Sequence, residues 1–115
     1  MTFNEYQRKA ITTLIKEKHP LILLSRLTLG LVGEAGEVAE AVKKFLRGDY
    51  KTTSLKQNFY NLRNKIKKEL GDLLWYLAVL ADSFDIDLLD VAEMNIKKLQ
   101  SRKKRNKIKG EGDDR

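Results

Sequence analysis

The sequence predicts an all-α domain, a four-helix, antiparallel bundle. Three observations carry that reading. Proline occurs once, at Pro20, and the seven glycines are too few to interrupt the chain often. Apolar residues recur at helical spacing through long windows, with no sustained strand-like alternation. The apolar run Leu73–Ala81 does not alternate either; it continues a longer helical pattern. Connections are short, which favours antiparallel neighbours. At 115 residues the chain is one domain with a modest core, and pairing with copies of itself is expected to complete it.

The first helix is expected from about Asn4 to Lys18, with Tyr6, Ala10, Ile11 and Leu14 inward and His19-Pro20 closing it. The second runs from about Ile22 to Arg47, where Leu27, Leu31, Ala35, Val38, Val42 and Phe45 form a stripe. Gly30, Gly33 and Gly36 interrupt it, each costing about 1 kcal/mol relative to alanine. Close approach of another helix explains such glycines, and so does access of a ligand to the helix surface. Gly48 ends this helix, and residues 49–54 read as a polar loop. The third helix is expected from about Leu55 to Ser83, with Leu70, Leu73, Leu74, Leu77, Leu80, Ala81 and Phe84 as core. Asp87, after a short turn, is placed to cap a fourth helix carrying Leu88, Val91, Ala92, Ile96 and Leu99. The folded domain is therefore expected over residues 1–102, and residues 103–115 as a charged, flexible tail.

Composition excludes several classes of function. Without cysteine there is no disulfide framework and no thiolate metal site. Leu73–Ala81 is far too short to span a bilayer, so no membrane role is expected. Met1–Ala10 lacks the apolar stretch of a signal peptide, and a cytoplasmic location is expected. The net charge of +7 is local. Eight basic and no acidic residues lie between Lys97 and Lys109, and residues 1–96 sum to only +1. Such a run reads as a solvated helix end or tail before it reads as a nucleic-acid site.

The chemistry lies in the carboxylates. Glu34 and Glu37 share one side of the second helix, and Glu69 and Asp72 repeat the spacing on the third. Both pairs border an apolar stripe, so antiparallel packing can bring four acidic groups together. Two unit charges 4 Å apart repel by roughly 4 kcal/mol at an effective dielectric near 20. A divalent cation removes that penalty, and an all-oxygen donor set selects Mg²⁺ or Mn²⁺. The same spacing also fits solvated carboxylates paired with Lys43, Lys44, Lys65 or Lys68. A di-iron site would need Glu-x-x-His pairs, and the sole histidine, His19, belongs to none. Asn95, Lys98 and Arg102 line one face of the fourth helix, and Lys65 precedes Glu69 by one turn. That combination of amide, ammonium and guanidinium groups suits polyphosphate oxygens.

These residues sit within longer motifs. Gly30-Leu-Val-Gly-Glu-Ala-Gly-Glu-Val-Ala-Glu40 and Lys68-Glu-Leu-Gly-Asp-Leu-Leu-Trp-Tyr76 closely resemble the MazG-like nucleoside triphosphate pyrophosphohydrolases. Phe3-Asn-Glu-Tyr-Gln7 and Asn95-Ile-Lys-Lys-Leu99 with Arg102 are similar to that family too, so the resemblance covers about residues 3–102. It implies an all-α fold of the MazG-like type and Mg²⁺-dependent hydrolysis of a nucleoside or deoxynucleoside triphosphate to monophosphate and pyrophosphate. It implies Glu34, Glu37, Glu69 and Asp72 as metal ligands, and Lys65, Lys98 and Arg102 as phosphate contacts with Asn95 beside them. It also implies a homodimer or homotetramer with active sites near subunit interfaces. Glu37 or Glu40 is the candidate to orient water, with Lys65 assisting catalysis. Trp75, Tyr76, Phe59 and Tyr60 are candidates for base stacking, although Trp75 and Tyr76 also suit a core or subunit interface. The stretch from Ala41 to Lys67 is longer than the family pattern, and residues 49–63 could influence substrate choice. Two other functions fit the sequence: a phosphoribosyl-ATP pyrophosphohydrolase with a similar acidic site, and a non-enzymatic helical module binding nucleic acid through Lys97–Lys109.

Overall fold

Thr2 and Glu5 open the first helix with a reciprocal cap. The Glu5 amide donates to Thr2 Oγ1 (3.1 Å) and the Thr2 amide to Glu5 Oε2 (2.6 Å). Two N–H groups that no helical carbonyl reaches are thereby satisfied. In the computed structural model, which describes residues 1–49 and 51–115, this helix is α1, Phe3–Ile11. Tyr50, in the loop expected over 49–54, lies outside the described residues.

Helix α1 is shorter than its apolar pattern predicts. Thr12 and Thr13 turn their hydroxyls back onto the Lys9 and Ala10 carbonyls at 2.7 Å, and residues 14–17 take no regular structure. Side-chain bonds of this kind compete with continued helix. Pro20 does not close α1; it opens α2, Pro20–Arg47, at a position where its missing N–H is no loss. Helix α3, Leu55–Asp82, starts at Ser54, whose hydroxyl accepts from the Gln57 amide (3.3 Å). Helix α4 is Leu88–Lys104. The described residues contain these four helices and no strand, the all-α arrangement expected.

Three of the helices end alike. Gly48 (φ 85°), Asp85 (φ 56°) and Asn106 (φ 56°) adopt the left-handed conformation just past α2, α3 and α4. The following amides then reach back to the Lys44, Ala81 and Arg102 carbonyls at 3.1, 3.0 and 2.7 Å. This is the Schellman closure, tolerated by Gly, Asp and Asn because their side chains allow positive φ.

Asp87 stands at the N-cap of α4 but its side chain accepts no capping bond. Tertiary contacts cap this helix instead. Gln7 Oε1 accepts from the Leu88 amide (2.8 Å) and Asn4 Oδ1 from the Leu89 amide (3.2 Å). Gln7 Nε2 donates to the Ala78 and Ile86 carbonyls (3.1 and 2.9 Å), so one buried amide joins α1, α3 and the start of α4. Around it lies the core: Ala10, Leu27, Ala78, Val79 and Leu88, backed by Tyr6, Leu14, Leu23, Leu74, Trp75, Tyr76 and Leu80.

The principal packing is α2 against α3. Helix α1 lies on α3, and α4 touches α1 and α3 but not α2. Several residues expected in the core are exposed within the single chain. Val42, Leu70, Leu77, Phe84, Val91, Ile96 and Leu99 are among them. The helices form an open hairpin with two flanking arms, so each long helix keeps an apolar face that no other part of the described residues covers. The radius of gyration is 17.7 Å, against about 13–14 Å for a compact chain of this length.

The glycines of α2 divide by environment. A methyl group on Gly30 would overlap the Tyr76 ring, whereas Gly33 and Gly36 face open space. Gly30 therefore serves close helix approach. Gly30→Ala must displace Tyr76, and is expected to destabilise the fold by about 1–3 kcal/mol, read from the urea midpoint.

Candidate functional site

Packing α2 against α3 sets their residues opposite one another in antiparallel order. Gly30 meets Tyr76, Glu34 meets Asp72, Glu37 meets Lys65, and Phe45 meets Phe59 edge to face at 6.0 Å. The two acidic pairs therefore converge at the middle of the hairpin. Glu34, Glu69 and Asp72 each direct a carboxylate oxygen into one locus, all within 4.8 Å of one another. Ligands on opposite sides of a single magnesium ion stand about 4 Å apart, so this donor set fits one hard divalent cation after small side-chain rotations.

The fourth acid is close but differently engaged. Glu37 Oε2 lies 3.9 Å from Lys65 Nζ, and Lys65 donates to Glu69 Oε1 at 2.5 Å. Lys65 is thus a cation set within the acidic group, and its bond to Glu69 holds its pKa above the ordinary value. Glu69 is buried, while Glu37 and Asp72 are exposed. Partial burial, followed by the charges of Asp72, Glu69 and Glu37, raises the Glu34 carboxyl above its ordinary value. Desolvation and like-charged neighbours both disfavour the ionised carboxylate.

Glu40, three residues beyond Glu37, turns elsewhere. It binds Lys43 at 2.5 Å and Lys44 at 3.4 Å, and these partners lower its pKa. Asn95, Lys98 and Arg102 also stand apart. Among the described residues no hydrogen bond or ion pair links them to the acidic locus, and their helix makes no contact with α2. Lys98 and Arg102 pair with Asp113 instead.

Two clefts flank the acids. One, of about 480 Å³, is lined by Thr13, Glu34, Asp72, Trp75 and Tyr76. Trp75 Nε1 donates to Thr13 Oγ1 (2.7 Å), and its ring meets Tyr76 edge to face at 4.9 Å. The other, of about 460 Å³, lies on the far side of Lys65, where Phe45, Asn58, Asn61 and Leu62 contribute walls. Phe59 and Tyr60 are exposed on α3.

Sequence reasoning did not assign two neighbours of the acids. Tyr6 reads as a core position, yet its phenol is raised above its ordinary pKa first by burial and then by the charge of Asp72. Thr13, read as helix interior, ends α1 and enters the cleft. The Phe3–Gln7 motif held the only signal for Tyr6; nothing local marked Thr13.

Comparison with known proteins supplies the family. The model for the MazG nucleotide pyrophosphohydrolase domain matches residues 24–106. The chain is 49% identical over 92 residues to Gene 37 protein of Mycobacterium phage L5, covering 80% of this chain and 76% of that protein. It is 31% identical over 72 residues to Uncharacterized protein YvdC of Bacillus subtilis (strain 168), covering 63% of this chain and 68% of that one. No solved structure matches the chain. Among the described residues no helix is long and apolar enough to cross a membrane. With four helices and an acidic locus between α2 and α3, the chain belongs to the MazG nucleotide pyrophosphohydrolase family.

Proposed function

We propose that this protein hydrolyses a nucleoside or deoxynucleoside triphosphate to the monophosphate and pyrophosphate, using Mg²⁺, or Mn²⁺ in its place. The observation that carries the proposal is the convergence of Glu34, Glu69 and Asp72 oxygens within 4.8 Å. Glu34, Glu69 and Asp72 would hold the cation, joined by Glu37 if its side chain turns inward. A bound divalent ion supplies charge neutralisation and orientation of the phosphates.

The chain's own groups do the rest. A water molecule attacks the α-phosphorus, the bond to the bridging oxygen breaks, and pyrophosphate leaves. Glu37 is the carboxylate best situated to orient that water and take its proton, since Glu40 is engaged by Lys43 and Lys44. Lys65, which pairs with Glu69 and lies beside Glu37, would donate to the phosphates with a cation bound at the acids and stabilise charge on the transferring oxygens. Trp75 and Tyr76 form an apolar wall for the nucleoside, with Thr13 and Gly30 fixing the rings. Asn95, Lys98 and Arg102 face the phosphates from α4 of a neighbouring copy, because α4 does not touch α2 of its own chain.

Burial supports self-association as part of this proposal. Leu29 and Leu46 on α2 are 72% and 76% exposed, and Phe59, Leu70 and Met94 are more than half exposed. Leaving each such side chain in water forgoes roughly 1.5–3 kcal/mol of burial. A second copy is the natural cover for these faces.

Three measurements test the proposal. Glu69→Gln and Asp72→Asn are each expected to lower pyrophosphate release more than about a hundredfold across a nucleotide panel, with helical circular dichroism preserved. Unchanged turnover in both would remove the site, and preference for phosphoribosyl-ATP would reassign the substrate. Glu34→Gln relieves repulsion, so without metal its Tm is expected to rise by about 2–5 °C, and the further rise on adding Mg²⁺ to shrink. Sedimentation should give a mass at least twice the 13.3 kDa of one chain, and Leu29→Glu should reduce it.

A further inference from the structure

Past α4 the chain does not run on into solvent. Asn106 takes the left-handed conformation, and the Lys107 amide closes on the Arg102 carbonyl at 2.7 Å. This closure reverses the chain and returns residues 110–115 along α4. There the tail meets two of the cations assigned to the phosphates. Asp113 Oδ1 accepts from Lys98 Nζ at 3.1 Å and lies 3.5 Å from Arg102 Nη2. The Gly112 and Asp113 carbonyls accept from the same Arg102 nitrogen at 3.2 and 2.6 Å. Arg105 Nη2 donates to the Arg115 carbonyl (2.8 Å), which holds the return in place.

Arg102 is the unusual member. It is only 5% exposed, although it lies in the last turn of a helix that packs on little else. Its hydrogen-bond and ion-pair partners are the tail's Gly112 and Asp113. Its Nε is enclosed with no hydrogen-bond partner among the described residues, so the seat is built but incompletely filled. A guanidinium has five N–H donors in a fixed fork, and oxyanions with several oxygens satisfy more of them than one carboxylate and two carbonyls do.

We infer that residues 105–115 act as an internal competitor, with Asp113 occupying the polyphosphate seat formed by Lys98 and Arg102 until a substrate displaces it. The inference rests on the proposed role of those two residues as phosphate contacts. Magnitudes favour exchange. The Asp113 side chain is 85% exposed, and ion pairs so open to water are weak. A triphosphate carries several charges and outcompetes the single carboxylate, then keeps the seat from it. The tail therefore sets how much nucleotide is needed, and leaves the chemical step untouched.

The test is binding of inorganic tripolyphosphate, without divalent ions so that the acidic locus does not contribute, to three proteins: the full chain, Asp113→Asn, and a chain ending at Lys104. Asp113→Asn is expected to bind about two- to fivefold tighter, the range set by exposed ion pairs. The shortened chain should bind at least as tightly as that variant. Its sign is diagnostic, because residues 105–115 carry four basic and three acidic side chains. Removing them lowers the net charge, so general electrostatic attraction predicts weaker binding, and the competitor predicts stronger. Arg102→Gln in the shortened chain should abolish the gain. Equal affinity in all three proteins, weaker binding by the shortened chain, or a gain that survives Arg102→Gln would overturn the inference. Nucleotide hydrolysis gives a second readout, a lower KM for Asp113→Asn at unchanged kcat. A wild-type chain that hydrolyses no nucleotide would instead defeat the proposed function, while the tripolyphosphate titration still decides the role of the tail.

Discussion

The register of α2 against α3 is the constraint on which the remainder of this structure depends. Bare backbone at Gly30 receives the Tyr76 ring at one end, and Phe45 meets Phe59 at the other. Between these anchors the acids have no freedom to avoid each other. Sliding either helix by one residue rotates its side chains by about 100° and takes Glu34 away from Asp72. Apolar contacts at the two ends therefore hold an arrangement that electrostatics opposes. Lys65 offsets part of the repulsion through Glu69 and Glu37, while burial first and the acidic neighbours second keep the Glu34 carboxyl above its ordinary value. Under the proposed function, a cation held by these acids would relieve the repulsion that the fold imposes.

Legibility in the sequence followed the range of the interaction. Helices α2, α3 and α4 were readable because an i, i+3, i+4 pattern and a terminal Gly48 are local signals. The acidic locus was readable for the same reason, since two three-residue spacings on adjacent antiparallel helices converge almost automatically. What escaped was set by distant partners. Asp87 looks like a cap, yet the amides of Leu88 and Leu89 are taken by Gln7 and Asn4 from the other end of the chain. Pro20 looks like a terminator, but with Thr12 and Thr13 already ending α1 it is free to begin α2. The three glycines of α2 look equivalent, and only the position of Tyr76 separates Gly30 from Gly33 and Gly36.

Apolar periodicity was a sound guide to helices and a poor guide to which face is covered. A stripe such as Leu70, Leu77 and Phe84 reports that something must bury it, without saying that the same chain does. Within one chain the packed core is small, centred on Ala78 and Val79. The extended shape and the uncovered faces have one cause: two long helices pair along a single seam, and the two shorter ones cover only the end near Gln7.

That economy of packing bears on chemistry as well as stability. The acids lie at the middle of the seam, on an open surface between two clefts, where water is not excluded by the chain alone. Electrostatic stabilisation of a phosphoryl transition state is worth most where water is scarce. The α4 cations meanwhile sit on an arm that does not reach α2, and Asp113 offsets part of their charge. Under the proposed function a neighbouring copy would meet both needs with one contact, roofing the clefts and delivering Lys98 and Arg102 to the phosphates. On that proposal folding makes the acidic half of the site, and association with release of the tail would make the basic half.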